Sequence, residues 1–216
     1  MKPLTLQNVR RAIGGRSTQP LPAAGLELAA ICTDTRNLKP NCLFIALKGE
    51  NFDAHQFLDI AASGGAIAAV VSEVPANAPA SLRLFVVANT RIALGKLARQ
   101  IREGLRAKVV AIAGSNGKTS TKYLIDAVLA TKLKGSKSPK SFNNDIGVPL
   151  TIFAADEHHD YLVLELGTNH IGEISNLTKI AQPDVAIITN CDAEHLEFLG
   201  SLAGVRFENS DRKSVV

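Results

Sequence analysis

Residues Val109-Val110-Ala111-Ile112-Ala113-Gly114-Ser115-Asn116-Gly117-Lys118-Thr119-Ser120 decide how this chain is read. The β-branched run at the start predicts a buried strand. Gly114 and Gly117 let the backbone turn tightly, with its N–H groups pointing inward. From Lys118 onward, Leu124, Ile125, Val128 and Leu129 repeat on one helical face. Strand, glycine turn, Lys-Thr and helix together make a phosphate cradle. Backbone N–H groups and the helix N-terminus attract anionic oxygens, Lys118 adds a point charge, and Thr119 offers a hydroxyl to Mg²⁺. The common pattern also wants glycine at the position held here by Ile112. The loop is therefore a shortened P-loop, Gly114 to Thr119, with Ser120 following.

On the N-terminal side, residues up to about 103 read as a small α/β domain of their own. Leu6 to Ile13 forms a short helix closed by Gly14-Gly15, and Gln19 to Gly25 is a Pro/Ala-rich loop. Cys42 to Leu47 is a strand, His55 to Ala62 a helix, and Ala66 to Val71 and Leu82 to Val87 two further strands. Thr90 is expected to cap a helix carrying Ile92, Leu94, Leu97, Ile101 and Leu105 near helical spacing, with the boundary at Gly104. The polar cluster Asp34-Thr35-Arg36, with Lys48-Gly49, Asp53 and His55, falls at strand ends, where ligand crevices form in α/β folds. Surface turn chemistry explains such a cluster equally well when it is taken alone.

On the C-terminal side, Lys134 to Lys140 reads as a polar loop leading to Ser141-Phe142-Asn143-Asn144-Asp145-Ile146-Gly147. The paired asparagines can orient phosphate or carboxylate oxygens, or simply shape the loop. Glu157-His158-His159-Asp160 reads as a solvated turn. Tyr161 to Gly167 is a buried strand carrying one acid, Glu165, the usual place for a Mg²⁺ partner in a P-loop protein. Thr168-Asn169-His170 follows as a polar turn into a helix. Val185 to Asn190 is the next strand, with Asp192, Glu194 and His195 beyond its end.

The 216 residues are 46% hydrophobic and 20% charged, the composition of an ordinary globular protein. The start, Met1-Lys2-Pro3-Leu4-Thr5, lacks a signal-peptide core, and no apolar run approaches membrane-spanning length, so a cytoplasmic location without membrane insertion is expected. A net charge of +4 with 5% aromatics argues against a nucleic-acid partner and leaves nucleotides plausible. Cys32, Cys42 and Cys191 have no zinc-like spacing and are expected to be buried free thiols.

The blocks Gly114 to Thr119, Ser141 to Thr151, Glu165-Leu166-Gly167-Thr168-Asn169-His170 and His195-Leu196-Glu197 stand in one order, and in that order the chain resembles the Mur ligases. The P-loop is common to that family and the folylpolyglutamate ligases. The Ser-Phe-Asn-Asn and Glu-Leu-Gly-Thr-Asn-His blocks point to the member that adds D-alanyl-D-alanine. The resemblance implies an α/β fold: a uridine-nucleotide domain over residues 1–103, then a truncated P-loop domain over 104–216 with a mostly parallel sheet, the family's C-terminal ligase domain being absent. It implies an ATP-dependent acid–amino-acid ligase of peptidoglycan synthesis that activates UDP-MurNAc-tripeptide as an acyl phosphate, which the amine of D-alanyl-D-alanine then attacks. It implies ATP contacts from Gly114, Ser115, Asn116, Gly117, Lys118, Thr119 and Ser120, and Lys118, Glu165 and His195 as catalytic residues. Thr119, Glu165 and His195 would hold Mg²⁺, and Asp34, Thr35, Arg36, Gly49, Asn143, Asn144, Thr168 and Asn169 would bind substrate. The expected state is a monomer. Two alternatives stand beside it: the sister ligase adding the third peptide residue, and a non-catalytic uridine-nucleotide-binding module. Residues 206–216 follow the family poorly, with Asn209 where it usually places a lysine that becomes carbamylated. Because the sheet lacks its later strands and the family's third domain is absent, inactivity of this piece on its own is expected.

Overall fold

The computed structural model describes residues 4–23, 25–193 and 195–210. Glu194 and Ala24, as well as the last six residues of the tail, lie outside the described residues. The chain divides into two compact units, one running to Leu97 and one from Ala98.

The first unit opens with β1 (Leu4–Thr5), α1 (Leu6–Ile13), β2 (Arg16–Ser17), β3 (Glu27–Leu28) and β4 (Ala30–Cys32). It continues with β5 (Cys42–Ile45), α2 (Leu58–Ser63), β6 (Ala66–Val71), β7 (Arg83–Val86) and the start of α3 (Thr90–Gly104). A Thr5–Asn8 capping box starts α1, and Gly14 in the left-handed region ends it. Five strands pair in the order β2-β7-β6-β5-β4, parallel except for β2 against β7. Their Phe44, Ala69 and Leu84 pack with Leu58 and Ala61 of α2 into one buried cluster. The cap of α3 is Asn89 and not Thr90: Asn89 Oδ1 accepts the N–H groups of Arg91 and Ile92, while Thr90 is already helical. The last turns of α3 go with the second unit, because Arg102 donates to the carbonyls of Ala181 and Gln182 and pairs with Asp184 at 2.8 Å.

The second unit contains β8 (Lys108–Ala113), α4 (Lys118–Leu129), β9 (Gly135–Lys137), α5 (Gly147–Phe153) and β10 (Tyr161–Glu165). Then follow α6 (Glu173–Ala181), β11 (Val185–Ile188), α7 (Leu196–Leu199) and α8 (Leu202–Asn209). Its four strands are all parallel, in the order β11-β8-β10-β9, so the P-loop strand lies inside the sheet. Two expectations change here. Part of the Lys134 to Lys140 loop is strand β9, paired with β10 from Gly135 opposite Tyr161 to Lys137 opposite Val163. An edge strand needs one neighbour and no apolar face, so its Gly-Ser-Lys sequence hides it. The inward side of α4 also differs: Ile125 and Leu129 pack on Ile112, Tyr161 and Val163, whereas Leu124 and Val128 are 67% and 69% exposed. Cys32 and Cys42 are buried thiols and Cys191 is only half-buried; none forms a disulfide. Among the described residues no helix is long and apolar enough to cross a membrane.

Candidate active site

Parallel pairing brings Glu165, the last residue of β10, into register with Ile112 of β8, just before the glycine loop begins. Ile112, at the position where the longer pattern has glycine, is fully buried inside β8. Gly114 sits at φ +124°, and a Cβ on it would lie 2.3 Å from Thr189 Oγ1, so only glycine fits. Gly117, at φ +80°, starts α4 from the left-handed region. The segment after β11 stitches the loop in place. Asn190 accepts the N–H of Ser115 through its carbonyl and the N–H of Asn116 through Oδ1, and Ser115 Oγ donates to the carbonyl of Asp192. Not all loop N–H groups therefore point to a ligand. Lys118, Thr119 and Ser120 form the first turn of α4, whose N–H groups a helix leaves without a carbonyl one turn back, the kind of donor that suits anionic oxygens. The Lys118 ammonium folds back onto the carbonyls of Gly114 and Ser115.

Thr119 Oγ1 donates to Glu165 Oε2 at 2.9 Å, joining the start of α4 to the end of β10. Asn143 Nδ2 reaches Glu165 Oε1 at 3.1 Å, and the Glu165 N–H donates to Ser138 Oγ. Asn144 turns away to a local task, its Oδ1 accepting the N–H groups of Ile146 and Gly147 at the start of α5. Thr119 and Glu165 offer hard oxygen donors side by side, which suits Mg²⁺, an ion that takes one or two protein ligands and completes its shell with water and substrate phosphates. His195 is not brought into this cluster: it stands exposed at the start of α7, at φ 45°. Among the described residues no group of three or more His, Cys, Asp or Glu side chains gathers as a metal cage.

Sequence reading missed Lys122. It is 0% exposed, and its ammonium lies 3.0 Å from Glu165 Oε2, with a further hydrogen bond to the Lys140 carbonyl. Helical spacing held the signal: Lys118, Lys122, Ile125 and Leu129 form one stripe, and that stripe is the one α4 turns inward. Glu208 was missed as well. Buried on α8, it accepts the N–H groups of Gly172 and Ile174 and the Thr168 hydroxyl, and so caps α6. Glu173 accepts the N–H groups of Asn169 and His170, so Thr168 and Asn169 are held by two acids. Asn209 is also buried on α8, with Nδ2 donating to its own helix at Val205.

In the first unit the ends of adjacent parallel strands gather the other candidates. Asp34 caps a 3₁₀ turn over Thr35–Asn37 after β4, and its carboxylate grips the Arg36 guanidinium at 2.6 Å. The Arg36 hydrogen bond holds the Asp34 carboxyl down at about 2. After β5, Gly49 donates its N–H to Phe52, closing a loop in which Lys48 pairs with Asp53 at 2.9 Å. Asp53 Oδ1 lies 2.6 Å from His55 Nδ1, and His55 Nε2 accepts the N–H of Ser72 at the end of β6, which puts the ring proton on Nδ1. Burial opposes ionisation of Asp53, but its bonds from Lys48 and His55 outweigh that and hold the carboxyl at about 2 against an ordinary 3.8. The ionised form therefore favours the fold: its contribution is complete above the ordinary value and is lost as pH falls toward 2. In thermal unfolding, Asp53→Asn should be less stable than the parent near neutral pH and converge with it as pH falls toward 2. Parallel curves across that range would refute the linkage.

A parallel sheet with a glycine loop at its inner strand, and an acid on the neighbouring strand bonded to the loop threonine, is the arrangement typical of P-loop proteins. Residues 112–210 match the Mur ligase middle domain, and the chain belongs to the Mur ligase family. It is 46% identical to the UDP-N-acetylmuramoyl-tripeptide–D-alanyl-D-alanine ligase of Escherichia coli (strain K12), over 86% of this chain and 40% of that protein. It is 38% identical to the ligase of the same name from Bacillus subtilis (strain 168), over 93% of this chain and 44% of that one. Among solved structures, MurF from Acinetobacter baumannii superposes with a TM-score of 0.87 at 35% identity, covering 100% of this chain and 46% of its own. The MurF ligase of Thermotoga maritima in complex with ADP gives 0.76 at 32% identity, over 87% of this chain and 42% of that one. The chain thus spans less than half the length of these relatives.

Proposed function

We propose that this chain carries the nucleotide-phosphate and UDP-substrate sites of a D-alanyl-D-alanine-adding ligase. The observation that carries the reading is the Thr119–Glu165 hydrogen bond beside the P-loop, in a chain similar throughout to MurF ligases. ATP phosphorylates the terminal carboxylate of UDP-MurNAc-tripeptide. The amine of D-alanyl-D-alanine attacks the acyl carbon, and phosphate leaves as the peptide bond forms. Such a transfer needs aligned charge more than a covalent group. Lys118 neutralises the β/γ-phosphates, the N–H groups at the start of α4 hold their oxygens, and Asn143 steadies Glu165 beside them. Thr119 and Glu165 would hold Mg²⁺, which when bound would supply charge neutralisation of the phosphates. The first unit, with Asp34, Thr35, Arg36 and Gly49 at strand ends, receives the uridine nucleotide.

Calorimetry of the 216-residue chain with UDP-MurNAc-tripeptide and with MgADP tests both halves. Binding of each is expected, with UDP shifting the amide resonances of Thr35, Arg36 and Gly49. UDP-induced shifts confined to the P-loop unit would overturn the uridine assignment. A second reading, binding without turnover, has one observation in its favour: β11 lies at the sheet edge with Val185 and Ile188 exposed. Product formation at ordinary enzymatic rates when ATP and both substrates are supplied would exclude it.

A further inference from the structure

We infer that Lys122 is a tethered cation that closes the Thr119–Glu165 oxygen site to free divalent metal, so that metal enters together with a nucleotide. The inference rests on the nucleotide reading of that site. Glu165 is only 2% exposed, and its Oε2 is shared by two donors, the Thr119 hydroxyl at 2.9 Å and the Lys122 ammonium at 3.0 Å. Its other oxygen takes Asn143. Without Lys122 this place would hold a bare, buried carboxylate next to a hydroxyl, the hard donor set that a divalent cation seeks.

With Lys122 the buried pair is already neutral. A lone metal ion would then add two positive charges to a site already holding the Lys122 ammonium, without a counter-charge. A di- or triphosphate reverses that balance, since its own oxygens bring the negative charge and most of the metal's ligands. Lys122 cannot easily step aside. Its stem is enclosed within α4 packing, and its ammonium also donates to the Lys140 carbonyl in the segment leading to Asn143. It is thus a positioning residue for Glu165 and a filter on how the metal arrives.

Mn²⁺, which takes the same hard oxygen donors as Mg²⁺ and is visible by electron paramagnetic resonance, is the probe. Titrated without nucleotide, the parent chain is expected to bind Mn²⁺ weakly, and ADP is expected to tighten that binding by at least about tenfold. Lys122→Met should bind free Mn²⁺ at least about tenfold more tightly than the parent and gain little from ADP. Lys122→Arg, which keeps the charge, should behave as the parent does. Lys122→Met/Glu165→Gln, which removes both charges and leaves no bare carboxylate, should lose the free-metal binding. Circular dichroism and cooperative unfolding establish that each variant is folded.

Equal free-Mn²⁺ affinity in the parent and folded Lys122→Met overturns the inference. So does a parent chain that binds Mn²⁺ as tightly without ADP as with it, a result that needs no variant. The free-metal comparison uses no nucleotide. Failure of the parent to bind ADP at all would therefore count against the nucleotide reading and leave the Lys122 comparison decided on its own terms.

Discussion

Lys118→Ala is expected to raise the dissociation constant for ADP by roughly 10- to 150-fold. The Lys118 ammonium sits over the glycine loop, bonded to the carbonyls of Gly114 and Ser115, and on the proposed nucleotide reading phosphate oxygens would enter there. Hydrogen bonds to charged groups contribute about 1.5–3 kcal/mol, which converts to that range in affinity. The fold should survive, because Lys118 makes its bonds within its own loop and lies only half-buried. Isothermal titration with MgADP reads the effect, and binding of UDP should stay unchanged as an internal control. ADP affinity within about twofold of the parent would remove Lys118 from phosphate contact. In a ligase-competent polypeptide the same substitution should lower turnover by ~10²-fold or more, because preorganised charge is lost where transfer occurs.

Glu165→Ala should produce the largest stability effect. It removes a carboxylate that satisfies Thr119, Lys122 and Asn143 at once, and strands the Lys122 ammonium in the interior. Breaking a buried pair by removing one partner costs roughly 3–5 kcal/mol, against near-neutrality when both are replaced by groups that need no counter-charge. Urea unfolding of the P-loop unit should therefore shift strongly to lower denaturant for Glu165→Ala and much less for Lys122→Met/Glu165→Gln. Equal shifts for the two would mean that the pair is not the uncompensated charge described. This result is independent of any nucleotide, whereas the Lys118 result depends on one.

Among these residues, what was legible in the sequence was local. The strand from Lys108, the turn at Gly114 and Gly117 and the helix from Lys118 are written in consecutive residues, since backbone propensity and glycine geometry act over a few positions. Family membership was legible for the same reason, as ordered short blocks. The inward face of α4 was not. Apolar periodicity favoured Leu124 and Val128, which are exposed, because a stripe containing two lysines does not look like a core-facing stripe until their counter-charges are known. Likewise β9 lacked any apolar signal, since an edge strand in a parallel sheet takes its stability from β10 and not from its own side chains.

The site itself divides along the same line. By itself the sequence determined a strand, a glycine turn and a helix opening on Lys118-Thr119, and that Glu165 ends a buried strand. Tertiary structure alone decided which partners meet there. Parallel register sets Glu165 opposite Ile112 and so beside Thr119, brings the 138–144 segment close enough for Asn143, and closes Lys122 over the carboxylate. It also left His195 exposed at the start of α7, outside that cluster, and placed Glu208 at the start of α6. Thr119 and Glu165 are 46 residues apart, and the hydrogen bond between them depends on strand order and register. Those are set by burial of whole strands against one another, and no local pattern of residues encodes them.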